Sequence, residues 1–207
     1  MALQNLHDLM LEQLRDVYSA EKQILKALPS MIEAATDDEL RTALDKHLTI
    51  TEGHVKRLDS IFEDLAETPR AKKCKAMEGL LEEGSEILEE EGVPDVLDAG
   101  IIASAQRVEH YEIAAYGTVL AYARQMQHSN VADLLGQTLE EEKEADMLLT
   151  RIAHKGMKRM PLMNASQGAR SDRSDEEEPD VDSDEASRSA AKSRRAPASR
   201  KRSLKQR

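Results

Sequence analysis

Apolar residues in the first 155 positions recur at the α-helical period, and this constrains the fold more than any other property of the chain. The first stripe, over about residues 3–35, runs through Leu6, Leu9, Met10, Leu14, Val17, Ile24, Leu25, Leu28 and Ile32. The second runs from Leu40 through Leu44, Leu48, Val55, Leu58, Ile61 and Phe62 to Leu65. A shorter stripe over residues 71–91 carries Met77, Leu80, Leu81, Ile87 and Leu88. Two more long ones follow, from Val96 to about residue 127 and from Val131 to Ile152, fraying near Gly156. Such stripes need a partner face to bury against. Only 2% of the residues are aromatic, with one Phe and no Trp. A β-sandwich or barrel leans on aromatic and β-branched side chains, so an all-α fold is predicted.

The breaks between stripes predict the connections. Pro29 should interrupt or kink the first helix by removing a backbone donor. Thr36 and Glu39 have the spacing of a capping box, with Thr36 as N-cap. The second helix should stop before Pro69; Gly92 suits a C′ position and Pro94 an N1 position. Ser129 or Asn130 can cap the last helix. Short loops join the first two long helices and the last two, so each pair is antiparallel, and the shorter helix returns the chain between pairs. That is the ferritin-like four-helix bundle, with an extra helix in its crossover. Residues 1–160 form this domain.

Residues 161–207 have no hydrophobic period. Their nine acids all lie in 172–185, and residues 186–207 hold nine Lys/Arg and no acid. A disordered tail is expected, with a basic end able to touch nucleic acid or to fold back on the body. The first 160 residues carry 31 acidic and 18 basic side chains, a net charge of −13. An acidic body favours cations over nucleic acid as its partner. The single cysteine, Cys74, cannot form an internal disulfide. No apolar run reaches the roughly 20 residues that span a bilayer, and the N-terminus lacks the pattern of a signal peptide. A cytoplasmic protein with no membrane contact is expected.

Two stretches then invite chemistry: Arg107-Val-Glu-His-Tyr-Glu112 and Thr138-Leu-Glu-Glu-Glu-Lys-Glu-Ala-Asp146. Glu109 and Glu112, and likewise Glu142 and Asp146, share a helix face. A faint internal repeat aligns Glu21 with Glu112, Thr51 with Glu142 and His54 with Ala145. A dinuclear site in a bundle takes one Glu from each of two helices and a Glu-x-x-His from each of the others. Glu21 and Glu112 supply the single glutamates. The two Glu-x-x-His elements are incomplete, reading Thr51…His54 and Glu142…Ala145, and Glu109 is the natural replacement ligand. Carboxylate and imidazole donors suit iron or manganese. The bland reading of each stretch is a solvated acidic face. His7, His47 and His110 are expected at the surface, and Tyr18, Tyr111 and Tyr116 either pack or bond a ligand.

Tyr18-Ser-Ala-Glu-Lys-Gln23, Ala76-Met-Glu-Gly-Leu80, Val108-Glu-His-Tyr-Glu-Ile-Ala-Ala-Tyr-Gly117 and Thr138-Leu-Glu-Glu-Glu-Lys143 together resemble the YciE/YciF family of ferritin-like stress proteins. The resemblance covers about residues 3–155. It implies a fold similar to rubrerythrin and bacterioferritin, a homodimer, and a stress-related ferroxidase with two irons per chain, manganese being the alternative. Its motif positions fall on Glu21, Glu109, Glu112, Glu142 and Asp146, to which His54 is added from the bundle pattern. The second helix departs: the family often reads His-Leu-Glu-Glu-Thr where this chain has His47-Leu-Thr-Ile-Thr51. With Glu52 and His54 as substitutes, the chain is either a ferroxidase or a non-catalytic stress or interaction protein with an incomplete site.

Overall fold

The computed structural model describes residues 3–70, 72–160 and 162. The acidic-then-basic tail expected to be disordered lies outside them, as does its basic end. Among the described residues there are five helices and no strand: α1 (Leu6–Ala34), α2 (Asp38–Asp64), α3 (Lys75–Glu89), α4 (Pro94–Gln125) and α5 (Ser129–Met157). α1 packs on α2 and α4, and α5 packs on α4 and α2, so the four long helices close a square. α3 lies over α1 and α4. This is the ferritin-like bundle, two antiparallel hairpins joined by a crossover that contains a helix.

The interior is built in three layers along the bundle axis. One apolar cluster gathers Met10, Leu14, Leu58, Phe62, Tyr116, Val119 and Leu135. The other gathers Ile24, Leu28, Leu40, Leu44, Met77, Ile101 and Ile152. Between them lies a buried polar layer of Glu21, His47, Thr51, His54, Glu109, Glu112 and Glu142. The two apolar clusters supply the area burial that drives the helices together. They also fix the height at which the polar layer sits.

Several boundaries differ from the expectation for plain physical reasons. α1 continues through Pro29 to Ala34. Pro29 is exposed, where water most easily replaces the lost backbone bond. Asp37, not Thr36, caps α2: its Oδ1 accepts from Glu39 N at 2.9 Å and Leu40 N at 3.1 Å. Thr36 is drawn away by Asp98 of α4, which is 5% exposed. The Asp98 carboxylate accepts from Thr36 N (2.8 Å), Thr36 Oγ1 (2.7 Å) and Asp37 N (2.8 Å). Gly92 lies beyond the C-cap of α3 at Glu90, while Pro94 opens α4 as expected. His128 occupies the N-cap position of α5 without a side-chain bond. α2 and α4 end in left-handed residues, Ala66 (φ 54°) and Gln127 (φ 60°). Glu67 N bonds Phe62 O at 2.9 Å and His128 N bonds Ala123 O at 3.0 Å. Both are Schellman closures without the usual glycine.

Asp98→Ala leaves three donors short of their acceptor and is expected to destabilise the protein by about 3 kcal/mol, with Asp98→Asn costing less. Urea unfolding checks this; a loss below about 1 kcal/mol for the alanine variant would mean that water replaces the carboxylate. Ala66→Gly and Gln127→Gly each relieve a left-handed side-chain residue and are expected to stabilise by about 1 kcal/mol in the same assay.

Candidate metal centre

Each helix contributes to the polar layer for a reason visible in its register. On α2, His47, Thr51 and His54 are four and three residues apart and so share one face. All three are buried, at 7%, 1% and 0% exposure. α4 presents Glu109 and Glu112, α1 presents Glu21 and α5 presents Glu142, none more than 3% exposed. Their donor atoms fall into two groups, His47–Glu109–Glu112–Glu142 and Glu21–His54–Glu142, each with its atoms within 4.8 Å of one another. Glu142 belongs to both groups.

The hydrogen bonding of His54 settles which of its nitrogens faces the cluster. Nε2 lies 2.9 Å from Glu141 Oε2. Glu141 is held ionised by Arg57, whose Nη1 and Nη2 donate to it at 2.9 and 3.3 Å. An ionised carboxylate only accepts, so Nε2 carries a proton and Nδ1 is the nitrogen that faces the cluster. Nδ1 points at Glu142 Oε1 (2.9 Å) and Glu21 Oε1 (3.4 Å) without hydrogen-bond alignment. A carboxylate that orients a histidine through its far nitrogen is the usual support of a metal-ligating imidazole. Tyr116, fully buried, donates its hydroxyl to Glu21 and fixes that carboxylate in turn.

Ten buried side-chain atoms of this layer have no hydrogen-bond partner among the described residues. They are one oxygen of Glu21, one of Glu109, both of Glu112, both of Glu142, Thr51 Oγ1, both nitrogens of His47 and Nδ1 of His54. A whole native domain normally leaves only a few such groups. Concentrated in one layer, and all of them oxygen or nitrogen donors, they fit hard divalent cations.

The electrostatics agree. Burial, then the charge of Glu142, pushes Glu109 and Glu112 well above the usual carboxylate range. Burial also raises Glu21, with His54 and Tyr116 opposing it. Burial would depress His54, but Glu142 and Glu21 outweigh it and push it up to about 10. Burial would raise Glu142, but the close approach of His54, with His47 nearby, holds it low. His47 is lowered by burial. Without a cation, the layer manages its charge by keeping protons.

Five of the six residues singled out by sequence, Glu21, His54, Glu109, Glu112 and Glu142, are brought together here. Asp146 is not: it is half-buried, accepts from Gln106 Nε2 at 2.9 Å and lies 3.3 Å from His110 Nε2. Glu52 is exposed and makes no substitute ligand. His47, expected at the surface, is a member of the cluster, and Glu141 was missed as the orienting carboxylate. The His47–Thr51–His54 spacing carried the first signal. The second, the approach of Glu141 to Arg57 across two helices, has no local sequence mark.

Comparison with known proteins now places the chain. Residues 5–160 match the family described as Domain of unknown function (DUF892). The chain belongs to the DUF892 family. Protein YciF of Escherichia coli (strain K12) is 42% identical over 154 residues, covering 74% of this chain and 93% of that protein. The crystal structure of the E. coli stress protein YciF matches with a TM-score of 0.74 at 40% identity, over 76% of this chain and 99% of the other. YcfI from Rhodopseudomonas palustris matches with a TM-score of 0.70 at 45% identity, over 72% and 94%. The YciF resemblance read from the motifs thus holds for this DUF892 chain. No described helix is long and apolar enough to cross a membrane.

The raised groups give a pH signature. His54 contributes stability that is fully present below its ordinary value of 6.5 and is lost as pH rises through about 10. The melting temperature of metal-free protein is therefore expected to fall across that window, and His54→Gln to flatten the fall. A metal-free melting temperature that rises from pH 6.5 to 10 would contradict the assignment.

Proposed function

We propose that this chain is a metal-binding stress protein whose buried layer holds two divalent ions and whose substrate is Fe(II), oxidised with dioxygen or hydrogen peroxide as acceptor. The observation that carries this reading is the shared position of Glu142 between two donor groups, each also holding a histidine. His47, Glu109 and Glu112 would hold one ion with Glu142; Glu21 and His54 would hold the other. Iron held there would supply the electrons that the acceptor takes up. Manganese suits the same donors.

The protein's own part is positional. Arg57 and Gln137 orient Glu141, which orients His54. Tyr116 orients Glu21. The two apolar clusters exclude water on either side, strengthening each charge interaction in the layer. Glu109 and Glu112 hold protons before a cation enters and must release them to bind it. His47 supplies a donor near the second-helix position where Thr51 stands in place of the bundle's glutamate, and this favours an active site over an inert one.

Anaerobic titration with Fe(II) is expected to saturate at about two ions per chain, and admission of oxygen to give an absorption band that Fe(II) lacks. Glu142→Gln, removing the shared ligand, should lose both ions, and Glu112→Gln only one. The inert alternative predicts a melting temperature unmoved by iron, manganese or chelator. A bound ion instead adds about 2.7 kcal/mol at a hundredfold excess over its dissociation constant.

A further inference from the structure

A cleft of about 220 Å³ opens between α2 and α5 and ends on His47 and Glu109. Its walls are mostly apolar, formed by Leu44, Ile50, Ala145, Met147, Leu148 and Leu149. Lys46 and Arg151 are exposed and line it, and among the described residues no carboxylate lies within ion-pair distance of either. Glu141 also lines it, but its charge is committed to Arg57 and His54. Glu144 is the one further acid on the wall.

A portal for metal ions would be lined with carboxylates or water-bonding groups throughout. This one offers mostly hydrocarbon walls interrupted by Glu141 and Glu144, two cations without an ion pair among the described residues, and at its floor the buried nitrogens of His47 and an oxygen of Glu109 that have no hydrogen-bond partner among those residues. The hydrocarbon continues inward. A second, smaller cavity shares Leu44, His47 and Glu109 with the cleft. A third of about 120 Å³ shares Met31, Leu81 and Val108 with the second. Ala145 is on its wall, whereas the repeat-related position on α2 is His54.

We propose that this cleft is a binding site for a small amphipathic carboxylate, its acid group at Lys46 and Arg151 and its alkyl body along Leu44, Ile50 and Leu148 toward His47. Apolar walls with few placed polar groups are the general form of a small-molecule site. Two cations on the lining favour a carboxylate over a neutral or cationic head. Binding itself does not depend on the metal reading; only a role for the ligand as a partner of the metal centre rests on it.

The test uses the full chain, metal-free and manganese-loaded, titrated calorimetrically with octanoate, acetate and octyltrimethylammonium. Octanoate is expected to bind both forms, and the other two to bind neither. Lys46→Gln with Arg151→Gln should weaken octanoate about tenfold or more. Ala145→Leu should abolish binding while leaving the manganese content and melting temperature unchanged, which separates a filled cleft from a damaged fold. Equal affinity for octanoate and octyltrimethylammonium, or octanoate binding untouched by Ala145→Leu, would overturn the proposal. So would an Ala145→Leu protein that binds octanoate normally but takes up manganese slowly, since the cleft would then be a cation path. Loss of manganese binding in the parent chain with octanoate binding intact would sink the metal reading and leave this one standing.

Discussion

Four buried glutamates and two buried histidines in one layer are the constraint around which the bundle is arranged. Burying an ionised carboxylate is costly unless it is paired, and here Glu21, Glu109, Glu112 and Glu142 are all buried. Arg57, the cation closest in role, reaches Glu141 and Thr138 rather than these four. Two apolar clusters, one above and one below, supply the association energy that the layer itself does not. The protein therefore stores an electrostatic deficit at mid-height, held by protons on Glu109, Glu112 and His54, which a divalent cation would cancel.

The site is asymmetric although its scaffold is nearly twofold. Repeat-related positions place Glu21 and Glu112 alike, one on each hairpin. Elsewhere the hairpins diverge: Tyr18 stands where Glu109 does, Thr51 where Glu142 does, and His54 where Ala145 does. The first hairpin therefore supplies both imidazoles and the second supplies three of the four acids. A bundle built by strict repetition would put a Glu-x-x-His on each of two helices. Here His47, one turn before Thr51, restores a nitrogen donor and meets Glu109 at 3.4 Å.

Much of the fold was legible because it depends on period. Helical stripes, Pro94 and the short loops gave five helices and their pairing, since area burial and backbone geometry are local in sequence. What failed were the places where a distant residue outbids a local one. Thr36 has the spacing of a cap, yet Asp98, sixty-two positions on, takes its donors. Asp146 lies one turn past Glu142, yet Gln106 claims it and turns it from the layer. Glu109 and Glu112 were legible from i, i+3 spacing, Glu142 from its acidic stretch, and Glu21 from the repeat that sets it opposite Glu112. His47 was not, because a lone helical histidine looks the same in sequence whether its face is covered or bare.

Access to the layer is directional, and the topology sets the direction. In the square formed by the long helices, the α1–α4 side is opposite the α2–α5 side. The crossover helix α3 lies over α1 and α4 and seats Met77 among their core residues. A chain that must return from the end of one hairpin to the start of the next can cover one side of the bundle, and α3 covers that one. Among the described residues no helix covers the α2–α5 side, and it is there that the cleft lined by Ala145 reaches His47 and Glu109. Among the described helices, the crossover that defines the fold thus also leaves the α2–α5 side as the one from which a small molecule can approach the centre, along a wall that includes Ala145.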